Sequence, residues 1–214
     1  MVVSEGIGLF SMHRLAKAVE FTPGALYRYF DSKDALLATL TRQVICELQH
    51  ALECGVSAMQ GAGPLAQICV QAQTYCVFAR VRPQRFGLLA MMAAEPRVLI
   101  ADDSEAREVM TAMVVALQSL TTALEDAAAA GHLSEGHAWV RALVLFGSLQ
   151  GVVQLRKQAR LLPDMIDVDK ASEESVRTLL SGWGASAEDV QASQEAVARI
   201  EQDIVEWLAA GVSS

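Results

Sequence analysis

Five prolines divide this chain before any other feature does. Pro23, Pro64, Pro83, Pro96 and Pro163 fall at the edges of apolar patterns of helical period and none falls inside one, where the missing N–H and the ring clash would cost about 3 kcal/mol. The stretches between them read as helices at 11–18, 23–30, 33–60, 64–82, 84–94, 103–130, 135–160, 169–183 and 186–210. Residue choice agrees, since 34 Ala and 25 Leu with no Asn at all favour helices and starve strands and tight turns. The expected fold class is all-α.

The helical period is plainest in three stripes: Met110, Met113, Val114, Leu117, Leu120 and Leu124; Val176, Leu179, Leu180 and Trp183; and Val190, Val197, Ile200, Ile204 and Trp207. Gly131 and Gly184 stand where C-terminal caps are wanted, and Ser186 opens the last helix. The sequence has no apolar run of the ~18 residues a bilayer span needs. It also has no basic segment ahead of an apolar stretch, so a cytoplasmic protein without a membrane partner is expected. Cys46, Cys54, Cys69 and Cys76 lie seven or more residues apart, without the close spacing of a zinc or redox clamp, and read as reduced, packed thiols.

Net charge is −8 but uneven. Residues 1–45 hold five bases against four acids, leaving −9 on the remainder. A near-neutral head on an acidic body is compatible with nucleic-acid binding by the head alone. In that head, Leu15, Ala16 and Val19 share one helical face, and Leu26, Phe30, Leu36, Leu37 and Leu40 supply an opposing one. Thr22 is placed to cap the second short helix and Pro23 to start it. This is a helix-turn-helix pattern, which in DNA-binding versions sends its second helix into the major groove. Thr22, Gly24, Ala25, Arg28, Tyr27 and Tyr29 form its exposed side, small residues letting the backbone approach bases and hydroxyls reaching flanking phosphates. Lys33 follows as a further phosphate donor.

The string Leu15-Ala16 … Phe21-Thr22-x-Gly24-x-Leu26-Tyr27-x-Tyr29-Phe30-x-Ser32-Lys33-x-x-Leu36-Leu37 resembles the helix-turn-helix signature of the tetracycline-repressor (TetR-like) family of bacterial transcription regulators. The resemblance implies that Thr22, Pro23, Gly24 and Ala25 approach bases and that Tyr27, Tyr29 and Lys33 hold phosphates. It also implies a head over 1–45 and a helical effector-binding and dimerisation domain over 46–214, acting as a homodimeric repressor on an inverted-repeat, double-stranded DNA operator. Two departures stand out. Glu20 occupies the turn position where the family has glycine, at a cost of roughly 1 kcal/mol if its φ is positive. The family's first helix is also expected to be truncated, with only ten residues before Ser11, an upstream start being favoured. Leu15, Val19, Phe30 and Leu37 would then be left to water.

No motif of hydrolytic, phosphate-cradling or metal-ligating chemistry occurs, so no catalytic residue, metal or cofactor is expected. A small apolar or amphipathic effector is expected within the helices spanning 64–130, against Gln71, Tyr75, Phe78, Phe86, Met91, Met92, Met110, Met113 and Gln118. For the dimer, the small residues Gly147 and Gly151 and the seam of Val197, Ile200, Ile204 and Trp207 suggest pairing through 135–160 and 186–210. The competing reading is a helical dimeric ligand-binding protein whose incomplete head binds DNA weakly or not at all.

Overall fold

A computed structural model describes residues 11–94 and 100–210 of the chain. Eleven helices and no strand occur among them: α1 (Met12–Ala18), α2 (Pro23–Tyr27), α3 (Lys33–Ala58), α4 (Pro64–Val81), α5 (Pro83–Ala94), α6 (Asp103–Ala129), α7 (Ala138–Gln154), α8 (Arg156–Ala159), α9 (Val168–Gly182), α10 (Ala187–Ala198) and α11 (Glu201–Ala210). They form two compact units. One comprises the chain up to Cys46 with Pro83–Val114, the other Glu47–Arg82 with the chain from Val115 onward.

In the first unit, α1 and α2 pack on each other. Met12, Ala16 and Leu26 are buried there, as are Leu36, Leu37 and Ala38 of α3. Leu37 is thus not left to water as the sequence led us to expect; Leu15 and Phe30 are half-buried, and Val19 alone of that group is exposed. The question of a truncated first helix falls on residues 1–10, outside the described residues. The start of α6 is held by side-chain hydrogen bonds beside the buried Ile100. Asp102 accepts from the Ser104 and Glu105 amides at 2.9 and 3.0 Å, and Asp34 of α3 accepts from the Ala101 and Asp102 amides at 2.7 and 3.1 Å. Arg42 pairs with Glu108 farther along the same two helices.

The second unit is built around α4. Thirteen of its 18 residues are buried, so it is apolar all round and needs neighbours on every side. α7, α9, α10 and α11 supply them. The final helix of the sequence reading is two helices, interrupted at Arg199–Ile200. Nothing in the local sequence explains the break, but Val190, Val197, Ile204 and Leu208 are all buried across it. Gln73 reaches Glu201 at 2.8 Å, and Arg82 reaches the Leu208 carbonyl at 2.9 Å, tying both ends of α11 to α4 and the residue after it.

The helix expected over 135–160 begins at Ala138 and is interrupted at Leu155. Together its two pieces, Ala138–Ala159, are long and apolar enough by length and composition to cross a bilayer, although no uninterrupted apolar run of that length occurs in them. The segment nonetheless carries Arg141, Arg156 and Lys157, and one face of α7 packs on α4 and α9.

Candidate DNA interface and effector region

The head is organised by caps. Ser11 accepts from the Arg14 amide at 3.3 Å, Thr22 from Ala25 at 3.2 Å and Ser32 from Ala35 at 3.0 Å, so α1, α2 and α3 each start on a side-chain oxygen. Pro23 takes the first position of α2. Between α1 and α2 the chain turns at Glu20, whose φ is +59°, and the Phe21 amide donates back to Ala16 at 2.8 Å. That is the closure a helix makes with glycine in this place, and here a glutamate bears the left-handed strain.

The same caps determine what α2 presents. Thr22, Gly24, Tyr27, Arg28 and Tyr29 are exposed, Tyr29 to 76%, while Pro23, Ala25 and Lys33 are half-buried. Nothing lies within 4 Å of where a Cβ on Gly24 would be. Helix α2 ends at Tyr27 rather than at 30, so Arg28 and Tyr29 stand at its close and in the turn before α3.

The residues expected around an effector divide between the two units. Gln71, Tyr75 and Phe78 are buried on one face of α4. The Tyr75 hydroxyl donates to Gln150 Oε1 on α7, and its ring meets Phe146 edge-on at 5.7 Å between centroids. Burial pushes the Tyr75 phenol well above its ordinary range, so it stays protonated. In the other unit Phe86 is buried and Met91, Met92 and Met113 are half-buried. Met110 and Gln118 face outward, Met110 to 52%, and line no interior. The apolar stripe of α6 gave its period but not which neighbouring positions would lie beneath.

Gln150 was not anticipated. Its signal in the sequence is weak: it is one of two amides, with Gln154, in a mostly apolar helix. Four buried polar atoms in this unit lack a partner: Gln71 Oε1, Thr74 Oγ1, Gln150 Nε2 and Arg156 Nε. Each such atom costs about 1–3 kcal/mol of desolvation. On the opposite face of α4 lies a cavity of about 60 Å³ bordered by Cys69, Gln73, Cys76, Leu149 and Ser172, the size of a water or two. Burial raises the Cys69 thiol to about 12 and the Cys76 thiol to about 11, the latter opposed in part by a hydrogen bond from Ser172. All four cysteines are free.

The dimer residues also divide. Val197 and Ile204 are buried within the chain, a correction to their expected place at a subunit interface: their seam faces α4. Ile200 and Trp207 are half-buried. On α7, by contrast, Val140, Leu143, Val144, Gly147 and Gly151, with Leu155 just past its end, are exposed and recur at three- and four-residue spacing along one face. Leu161, Leu162 and Met165 continue the exposed apolar surface beyond α8.

Residues 2–40 match the sequence model of the bacterial regulatory proteins of the tetR family, and residues 70–179 match that of the tetracyclin repressor-like C-terminal domain. No curated protein matches the chain. Among solved structures, a protein of unknown function from Rhodococcus sp. RHA1 is 25% identical with a TM-score of 0.67, over 85% of this chain and 89% of its own. The transcriptional regulator FadR from Bacillus subtilis, in complex with stearoyl-CoA, is 16% identical with a TM-score of 0.66, over 85% and 92%. A SmeT–triclosan complex is similar in fold at 17% identity and a TM-score of 0.61, over 85% of both chains; SmeT is the repressor of the Stenotrophomonas maltophilia multidrug efflux pump SmeDEF.

Proposed function

Because this chain belongs to the tetR family of bacterial regulatory proteins, we propose that it is a repressor that binds an inverted-repeat operator as a homodimer and is released by a small apolar or amphipathic effector. The observation that carries this is the Thr22-capped start of α2, with Gly24 open to solvent and Tyr27, Arg28 and Tyr29 exposed beside it. Thr22, Pro23, Gly24 and Ala25 approach base edges, while Tyr27, Arg28, Tyr29 and Lys33 hold phosphates. The acidic body repels the duplex and leaves contact to the head.

The dimer forms along the exposed face of α7, from Val140 to Leu155. Gly147 and Gly151 in the middle of that face let two helices approach closely, and an apolar stripe of this kind is otherwise left to water. Twofold symmetry then presents two heads to successive major grooves. The effector enters the unit built on α4, where Gln71, Tyr75 and Phe78 line one face; proteins of this fold are known with stearoyl-CoA and with triclosan bound. A hundredfold preference of the effector for the non-binding state supplies roughly 2.7 kcal/mol per site toward release.

Selection from a random duplex pool tests symmetry and sequence preference together. A two-half-site sequence is expected, with half-sites one helical turn or slightly more apart. Lys33→Ala weakens all sequences alike and lowers the log-salt slope by about 1, whereas changes at Ala25 alter which sequence wins. Enrichment no greater than for a non-binding protein of similar charge would leave the ligand-sequestering reading instead.

A further inference from the structure

Two amide side chains inside the α4-centred unit are each satisfied at one end only. Gln71 Nε2 donates to the Gln67 carbonyl one turn back, at 3.1 Å, which turns the amide so that Oε1 is left over, and that oxygen has no partner. Gln150 is fixed the other way round. Its Oε1 accepts from the Tyr75 hydroxyl, and its Nε2, with two hydrogens, has no partner. Gln71 and Tyr75 are four residues apart on α4 and so are neighbours on one face, while Gln150 meets the same tyrosine from α7. The helix face that carries Tyr75 therefore also carries an unused acceptor on Gln71, and the amide that accepts from the Tyr75 hydroxyl carries an unused donor.

A packed core has no use for this pattern, since buried polar groups are nearly always paired and leucine at position 71 would remove the cost. The other two unpartnered atoms of this unit are different cases: a Cβ on Gly55 would fall 3.0 Å from Thr74 Oγ1, so that hydroxyl is pressed against α3, and Arg156, whose Nε is unpartnered, is already paired through its Nη2 with Asp169 at 2.8 Å. The two amides carry no charge, and burial keeps the Tyr75 hydroxyl neutral. An anion placed between them would meet the Gln71 oxygen as well as the Gln150 nitrogen and would lose its hydration. A neutral group that donates on one side and accepts on the other completes both.

Resting on the reading that this unit receives the effector, we propose that Gln71, Tyr75 and Gln150 form a subsite for a neutral aromatic ligand whose single polar group both donates and accepts, a phenol or a primary aryl amide. Carboxylates and plain hydrocarbons of the same size are rejected. The edge of Phe146 against Tyr75 supplies the aromatic side of the match.

The test is titration calorimetry on the full chain with four probes of one shape: 4-ethylphenol, 4-ethylbenzamide, 4-ethylbenzoate and 4-ethyltoluene. The phenol and the amide are expected to bind at least tenfold more tightly than the other two. Gln71→Leu should lose at least tenfold for 4-ethylphenol while melting at a higher temperature than wild type, because it removes an unpaired atom and leaves the Tyr75–Gln150 bond intact. The double change Tyr75→Phe with Gln150→Leu, which removes both partners of that bond, should lose the same discrimination. No probe binding at millimolar concentration, equal binding of the phenol and the toluene, or undiminished phenol affinity in both variants would each overturn the subsite. DNA release is read separately. If 4-ethylphenol binds as expected but no probe alters duplex affinity, the subsite stands and the effector reading fails. If another compound releases DNA from wild type and variants alike and 4-ethylphenol does not bind, the effector reading stands and the subsite fails.

Discussion

The short helices of the head and the two central helices α4 and α7 of the other unit are held by opposite means, although α9 and α10 beside them also start on caps, from Asp167 and Ser186. α1 and α2 are 7 and 5 residues long, too short to persist in water, and each begins on a side-chain cap. α4 and α7 begin at Gly63 and His137 without any side-chain cap, and in α4 burial on every side takes its place. Where local bonds define an element, a handful of residues at fixed spacing specify it. Where packing defines it, the specification is spread over partners distant in sequence.

The sharpest way to break this contrast is to remove one large side chain from each region. Phe78→Ala, in the most buried part of α4, should cost about 3–5 kcal/mol and lower the main melting transition. Leu26→Ala should cost about 2–5 kcal/mol locally, seen as lost hydrogen-exchange protection over 12–45 with protection in α4 retained. Equal loss of protection throughout the chain in both variants would mean that the two regions unfold as one.

A second substitution bears on a surface instead of a core. Val144→Asp, on the exposed face of α7, should leave the fold intact and weaken self-association about a hundredfold or more, since one partner's apolar contact becomes a desolvated charge. Sedimentation velocity over a range of concentrations reads it, and unchanged association would remove α7 from the interface.

Smaller effects belong to the caps. Thr22→Ala should cost about 1 kcal/mol and be visible as faster exchange in α2. Glu20→Gly should stabilise the head by up to about 1 kcal/mol, because glycine adopts a φ of +59° without strain, and should tighten duplex binding by removing a carboxylate near the phosphates. The least perturbing check uses the thiols. At pH 8, Cys46 and Cys54 should react with a disulfide reagent in the native chain, while Cys69 and Cys76, raised by burial to about 12 and 11, should react only on unfolding.

These differences explain what the sequence made visible. The cap of Thr22 and the helix start at Pro23 could be read directly because each acts within four residues of itself, while the turn at Glu20 came from the family resemblance and its φ of +59° from the structure. The helical course of the body was equally legible from its periods. Which face of each helix lay inward was not. Met110 sits on an apolar stripe yet is exposed, as is Gln118 beside that stripe, while Val197 and Ile204 carry the spacing of an interface seam but are buried within the chain, on helices packed on α4. Gln150 is not legible from sequence, because nothing local distinguishes it from Gln154 and its role arises only beside Tyr75, 75 residues away.

Asp34 sets a boundary for protein engineering. It lies next to Lys33 at the end of the head signature, yet its carboxylate caps the backbone that leads into α6. A chimaera that transplants residues 1–46 onto a foreign regulator would carry this aspartate away from the Ala101 and Asp102 amides, and Arg42 away from Glu108. The recipient would have to present two amides and a carboxylate at matching positions. A working graft therefore needs two segments of this chain, the head and Pro83–Val114, exchanged together.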